Sequence, residues 1–509
     1  MDIAQLFRNV TGIVCADAYD TAWVALVPDA SHSSKPQFPQ ALETLRTMQL
    51  TDGGWGSPQI YHASERTLCT LAALCALLHW KQQKTDMTRV AQGIEALYKY
   101  ALDLDNDSYE LVGYELLLPR LIQLLEPFNL DLPYHAWQEV LKIGELKRKL
   151  IGELKIDVEH PRTWWFSAEM LTETELGQFD DSFLNEHGAI VTAVAPTAAY
   201  LRACRLQGQD SPRAARFLEK VLILGNGGAA FAWPMEHFET LWMLDQFKRV
   251  DFPANNKTIH RITEQLSYAW NQPPFGFSSS SAFNVADGDD TTIGYDVLRW
   301  AGYRPCPKPL LAFWETNHFR TYLDERTKSV TVNLHALSAL KHDLQNIPEF
   351  THYAEQTAGW LQPQLKSSDC CRDKWHYSSV YVASHAIEAI WYWDRPLAEK
   401  CLEFLLEAQG PNGGWGAHRV ETVEETGHAL IGLMAAHRLG LLRDKRPLYH
   451  AAHFLDVHGA DPAQERLWLG KTLFHSPKII GAIRLATSYG LEQLDIRIEP
   501  YQSKLTAVF

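Results

Sequence analysis

Gln49-Leu50-Thr51-Asp52-Gly53-Gly54-Trp55-Gly56 follows a segment in which Leu42, Leu45 and Met48 fall at helical spacing. The same plan returns at Gln409-Gly410-Pro411-Asn412-Gly413-Gly414-Trp415-Gly416, after Leu402, Leu405 and Ala408. In each copy the glycines stop a helix, the Gln amide can tie backbone groups at that end, and the Trp can pack over the next helix. A Glu follows ten residues after each Trp, at Glu65 and Glu425. One helical unit is thus used twice, 360 residues apart.

Working outward, most of the chain reads as amphipathic helix, with apolar residues three and four apart. Examples are Ala215 to Leu224, Phe238 to Phe247, Asp296 to Ala301 and Thr426 to Leu439. Period-two alternation is rare, and Ser329 to Leu334 is its best case. The pattern predicts an all-α architecture of stacked helical hairpins, either an open solenoid or a closed double ring.

Bulk properties narrow the function. A chain of 509 residues exceeds one ordinary core and predicts two large domains or three small ones. A formal net charge of -14 disfavours nucleic acid as a partner, which needs clustered Lys and Arg. The eight cysteines show no C-x-x-C spacing, only the adjacent Cys370 and Cys371, so neither a disulfide framework nor a zinc site is predicted. The opening residues carry no signal-peptide pattern. The longest apolar stretch, Leu68 to Leu78, is shorter than the roughly 20 residues a transmembrane helix needs. These features together predict a cytoplasmic protein.

The segment richest in chemistry is Val285-Ala286-Asp287-Gly288-Asp289-Asp290-Thr291-Thr292, between a Pro-, Gly- and Ser-rich loop (273–281) and a helix expected over Ile293 to Trp300. Plainer readings are a helix cap with an acidic first turn or a calcium-type loop. Crowded carboxylates raise one another's pKa, whereas a helix N-terminus favours the anion. A carboxyl that stays protonated therefore requires burial. A buried acidic Asp is what protonation of an alkene demands, since a double bond is a very weak base and the cation must be kept from water. Aromatic faces then stabilise that cation, and 17 Trp, 19 Tyr and 21 Phe are ample for the purpose.

Several ordered segments resemble the class II terpene cyclases, in particular bacterial class II diterpene cyclases of the kolavenyl or halimadienyl diphosphate synthase type. Cys15-Ala16-Asp17-Ala18-Tyr19-Asp20-Thr21-Ala22-Trp23-Val24-Ala25 resembles their S-A-Y-D-T-A-W-V-A segment, and Val112-Gly113-Tyr114-Glu115 with Pro119 is similar to V-G-F-E. Trp233-Pro234-Met235-Glu236-His237-Phe238-Glu239, with Trp242 and Asp245, resembles Y-P-V-D-L-F-E followed by W and D. Asp287 to Thr292 matches D-x-D-D-T-A except in its last residue. Asp373-Lys374-Trp375 and Trp468-Leu469-Gly470-Lys471 resemble bacterial members.

The resemblance implies two α-barrel domains, called β and γ in the family. Residues 1–30 with 225–509 would form β, and 31–224 an inserted γ. It makes Asp289 the acid, with Asp287 and Asp290 orienting it or keeping it protonated. The expected substrate is geranylgeranyl diphosphate, its diphosphate retained, because no D-D-x-x-D motif is present. Phe166, Phe231, Trp233 and Tyr295 are expected to line the cavity. Lys374 and Lys471 are the expected diphosphate contacts, and Asp105 and Asp107 the expected Mg²⁺ ligands. A homodimer is compatible with the family.

Plant members that make the simple labdane-type product hold a water with a His and an Asn. Here Phe166-Ser167-Ala168-Glu169 and Phe231-Ala232-Trp233-Pro234 put Phe166 and Phe231 at those positions. Neither ring can act as a base, which implies a cation that survives to undergo hydride and methyl shifts. Three further readings stand beside this one: a labdane-type (copalyl) diphosphate synthase, a squalene-hopene type cyclase, and a non-catalytic helical scaffold.

Overall fold

The computed structural model describes residues 2–107, 109–152, 162–273, 275–323, 325, 327–366, 371–416, 420–458 and 465–496. In the first half, an inner layer is formed by α1 (Ala18–Ala25), α2 (Ala63–Trp80), α3 (Tyr114–Leu125), the 3₁₀ segment Thr163–Met170 and α4 (Val194–Leu206). Each packs on the next and α4 returns to α1, so the layer closes. Pro39–Thr47, Asp86–Ala101, Gln138–Gly152 and Pro212–Leu224 lie outside it.

The second half repeats the plan with six inner helices. These are α5 (Glu236–Arg249), α6 (Gly288–Trp300), α7 (Val330–Lys341), α8 (Ser379–Ile390), α9 (Val423–Arg438) and α10 (Pro477–Gln493). They contact one another in order, and α10 closes back on α5. Lys257–Trp270, Pro348–Lys366, Arg395–Glu407 and Arg446–His458 form the outer layer. The architecture is therefore two closed double rings of helices. The inner helices bury nearly every side chain, as α9 does from Val423 to Ala436, because helices or the opposite wall surround them on all sides.

The two repeated Gln-Trp units are built alike. Trp55 Nε1 donates to Leu45 O at 2.8 Å and Trp415 Nε1 to Leu405 O at 2.7 Å. Gln49 Nε2 reaches Gly53 O and Arg89 O, and Gln409 Nε2 reaches Gly413 O and Pro447 O. Each unit thus fastens the end of one outer helix to the start of the next outer helix, with the indole pinned beneath. Gly53 (φ 95°) and Gly413 (φ 93°) occupy backbone conformations that disfavour any side chain.

Two expectations change. Ser329–Leu334 is not a strand: Ser329 accepts from Val332 N as the N-cap of α7, and its alternating residues are buried all round. Among the first 30 residues, Leu6, Phe7 and Val14 pack in the core of the second ring system, whereas Ala18 to Val27 pack in that of the first. The chain thus crosses between the two bodies at 14–18 rather than near 30. Among the described residues Cys15, Cys69, Cys75, Cys204, Cys306, Cys371 and Cys401 are free, and Cys370 lies outside them. No helix among the described residues is long and apolar enough to cross a membrane.

Hydrogen bonds cross between the bodies where their inner-helix N-termini meet. Val112 N donates to Gly470 O, Cys15 N to His475 O, and Tyr109 Oη to Tyr377 O.

Candidate active site

Asp287 is the N-cap of α6, its Oδ1 accepting from Asp289 N at 3.0 Å and Asp290 N at 2.8 Å. Helix α6 therefore starts at Gly288, five residues before the position expected from periodicity. The cap turns the two following aspartates into the first helical turn, where all three carboxyls are buried (3%, 7% and 4% exposed).

The electrostatics follow from that burial. Asp289 is raised above the ordinary Asp range, chiefly by loss of water, with the neighbouring His335 pulling the other way. Burial pushes Asp287 up to about 7, against hydrogen bonds from Asp290 that pull it down, and burial with the charge of Asp287 holds Asp290 well above its usual value. Asp290 Oδ1 has no hydrogen-bond partner. A proton is thus favoured within the Asp287/Asp290 pair.

His335, on the second turn of α7, places Nδ1 2.6 Å from Asp289 Oδ1. Its own Nε2 is buried without a hydrogen bond. Sequence reading missed this residue, because it lies 46 positions from Asp289, just past the Ser329 to Leu334 segment that reads as alternation.

From His335 a wall of rings runs toward the other body. Trp242 stands edge-on to His335 at 6.1 Å and donates through Nε1 to Tyr381 Oη at 3.0 Å. Trp468, in the short hairpin Trp468–Leu469/Leu473–Phe474, meets Trp242 at 5.6 Å and Phe238 at 5.1 Å. Phe238 meets Phe474 at 6.1 Å, Phe474 meets Phe231 at 4.6 Å, and Phe231 meets Phe166 at 5.9 Å. Phe166 and Phe231, from separate bodies, are therefore neighbours at the far end of one aromatic wall that begins at the acid.

The remaining expected site residues lie elsewhere. Tyr295 faces the outer layer, packed on Trp270 and Phe350, its hydroxyl donating to Asp343 Oδ2 at 2.8 Å. Trp233 packs on Phe217 and His187, under Lys220, beside a surface hollow of about 180 Å³. Lys471 is wholly buried in an ion pair with Glu169, 2.7 Å away and equally buried, and its ammonium sits 5.1 Å over Phe166. That lysine faces the ring wall rather than solvent. Lys374 pairs with Glu325 at 3.0 Å on the seam between the bodies, where Thr327 Oγ1 also donates to Glu110.

Asp107 accepts from Ala63 N, Ser64 N and Ser64 Oγ at the start of α2, and lies 3.2 Å from His62 Nδ1. Both its oxygens are engaged, and Asp105 is exposed on the 3₁₀ turn that Asp107 ends. The pair therefore does not fit a two-carboxylate Mg²⁺ site.

No protein-family model matches the chain. It is 28% identical over 497 residues to the "Type B diterpene cyclase" of Mycobacterium tuberculosis, covering 93% of this chain and 95% of that one. It is 26% identical to a chloroplastic (-)-kolavenyl diphosphate synthase of Tripterygium wilfordii, over 79% of this chain and 49% of that one, so it spans about half the length of such plant relatives. The solved ent-copalyl diphosphate synthase from Streptomyces platensis has the same fold, with a TM-score of 0.75 and 21% identity over 96% of this chain and 97% of that one. Likeness through nearly its whole length, the double-ring fold and the buried acid triad support a bacterial class II diterpene cyclase.

Proposed function

We propose that the protein cyclises geranylgeranyl diphosphate by protonating its terminal alkene from Asp289, keeps the diphosphate, and yields a rearranged bicyclic diphosphate of the clerodane (kolavenyl) or halimadienyl type. The observation that carries this reading is the buried Asp289 carboxyl, raised by desolvation and held 2.6 Å from His335 at the head of a ring wall. With its proton on Nδ1, His335 donates to Asp289 Oδ1 and leaves the acid proton on Oδ2. As that proton leaves, the imidazole N–H stabilises the carboxylate that forms. Without this partner a raised pKa alone would make Asp289 a retentive, poor donor.

Two things follow protonation. The cation advances through ring closure and is bathed by the faces of Trp242, Trp468 and Phe238, which attract positive charge and offer it no lone pair. Phe166 and Phe231 give the first bicyclic cation no base, so 1,2-hydride and methyl shifts outrun proton loss. The likeness to (-)-kolavenyl diphosphate synthases supports the rearranged skeleton.

In this reading the diphosphate end lies toward the seam between the bodies, where Lys374, paired with Glu325, would turn to meet it. Lys471, committed to Glu169, acts on the wall beneath Phe166. Mg²⁺ would neutralise the diphosphate, but Asp105 and Asp107 do not supply its site, and no step here runs through it. Purified enzyme given geranylgeranyl diphosphate, with and without Mg²⁺, tests the reading by mass spectrometry of the dephosphorylated extract. A rearranged bicyclic alcohol is expected, and an unrearranged labdane skeleton would overturn the product assignment.

A further inference from the structure

Rearrangement has to end, and its last cation must lose a proton to a group that is buried, free to accept, and close to the ring wall. Phe166 and Phe231 cannot serve. Glu169 also has one oxygen without a hydrogen-bond partner, but its charge is offset by the Lys471 ammonium 2.7 Å away, with Tyr19 on the same oxygen, and Asp290 belongs to the acid triad.

A separate polar trio stands on the other side of Trp468. His376, just before α8, and Glu424 and His428, on the first two turns of α9, converge so that one ligand-type atom of each lies within 4.8 Å of the others. All three are almost wholly buried, with Glu424 the most accessible at 2%. Glu424 Oε1 accepts from Trp468 Nε1 at 2.9 Å, whereas Oε2 has no hydrogen-bond partner.

The tautomer of His376 is fixed by its surroundings. Its Nδ1 accepts from Ser378 N at 3.1 Å, so in the neutral ring the proton sits on Nε2, and that N–H points at Glu424 Oε1 from 3.8 Å. The ring is stacked on Tyr381 at 4.1 Å and edge-on to Trp468 at 4.7 Å. His376 thus turns an N–H rather than an acceptor toward Glu424, at a distance too long for a hydrogen bond. His428 has no hydrogen bond at either ring nitrogen, and burial beside His376 holds it far below the usual histidine range. The acceptor with a fixed partner on one oxygen and a free lone pair on the other is Glu424.

We propose that Glu424 is the base that ends the reaction, with the Trp468 N–H holding it in place; this rests on the cyclase reading above. In the step, the C–H bond next to the cationic carbon breaks, its electron pair becomes the new C=C bond, and the proton passes to Glu424 Oε2. Cation and carboxylate are both neutralised. One proton enters from Asp289 and one leaves to Glu424, so the net reaction is an isomerisation, and both groups re-equilibrate with water when product departs. The same indole connects the two ends: Trp468 touches Trp242, which abuts His335. Acid and base thus stand on one aromatic wall.

Glu424→Gln keeps an oxygen for the Trp468 N–H and removes the basic carboxylate. In full-length enzyme we expect kcat to fall about 100-fold with KM little changed, and the surviving product to shift to other double-bond isomers or water-quenched alcohols. Glu424→Asp should partly restore the parent product. If Glu424→Gln does not fold, as judged by circular dichroism, His428→Gln at the same trio should give the same diversion. The parent product at the parent rate from folded Glu424→Gln overturns the assignment, as does a stoichiometric divalent ion in purified wild-type enzyme. A wild type that fails to cyclise geranylgeranyl diphosphate overturns the cyclase reading instead, which the product assay detects separately.

Discussion

His335 Nδ1 lies 2.6 Å from Asp289 Oδ1, joining α7 to the first turn of α6 inside the second ring system. This bond converts a merely buried carboxyl into an acid with a prepared conjugate base. Replacing His335 by Phe should lower kcat about 100-fold with a small change in KM. Because the imidazole lowers the Asp289 pKa, its removal should also move the alkaline limb of the rate profile to higher pH. A pH series of kcat on both proteins checks the direction.

The acid triad should also be visible in stability. Burial pushes Asp287 from the ordinary Asp range up to about 7, so the folded protein binds this proton more tightly than the unfolded chain does. For a raised carboxyl the contribution is complete below the unfolded pKa and is lost as pH rises through the folded one. Wild-type stability against urea should therefore decline between about pH 4 and about pH 7 from this group. Asp287→Asn, which keeps a capping oxygen, should flatten that decline.

Lys471 and Glu169 form a buried pair with no exposure on either side. Removing one partner strands the other charge in a dry interior, at a cost of about 3–5 kcal/mol. Lys471→Met should therefore lower the melting temperature markedly, and Lys471→Met with Glu169→Gln should recover part of the loss. A lysine acting on substrate phosphate would instead raise KM in a protein of unchanged melting temperature.

Much of this was legible in the sequence, and the reasons are local. The Gln-Trp units are decipherable because helix stop, glycine turn and indole lie within eight residues, and Asp287 to Asp290 announce themselves by proximity. What could not be read depends on closure of the rings. His335, Trp468 and Glu424 come from the starts of different inner helices and one hairpin, and meet only when six helices close. Tyr295 shows the converse: three and a half turns of local pattern do not reveal which wall a ring faces when both sides of the helix are buried. Asp107 illustrates a further limit, since an acidic run looks the same whether it binds a metal or caps a distant helix.

Phe166 sits 5.9 Å from Phe231 across the junction of the two bodies. Phe166→His, alone or with Phe231→Asn, should place a base or a held water beside the first bicyclic cation and divert product toward the unrearranged labdane skeleton. Gas chromatography of the dephosphorylated products measures the ratio. An unchanged skeleton in unchanged proportion would remove these two rings from the explanation of product choice.

The central claim is that Asp289 delivers a proton to a double bond and leaves the carbon–oxygen bond to diphosphate intact. The most direct measurement compares wild type and Asp289→Asn with geranylgeranyl diphosphate, following both cyclic product and free pyrophosphate. Wild type should form a cyclic twenty-carbon diphosphate without releasing pyrophosphate, and the folded variant should lose at least about 1,000-fold in rate. Stoichiometric pyrophosphate release by wild type, or near-normal cyclisation by Asp289→Asn, would contradict the account.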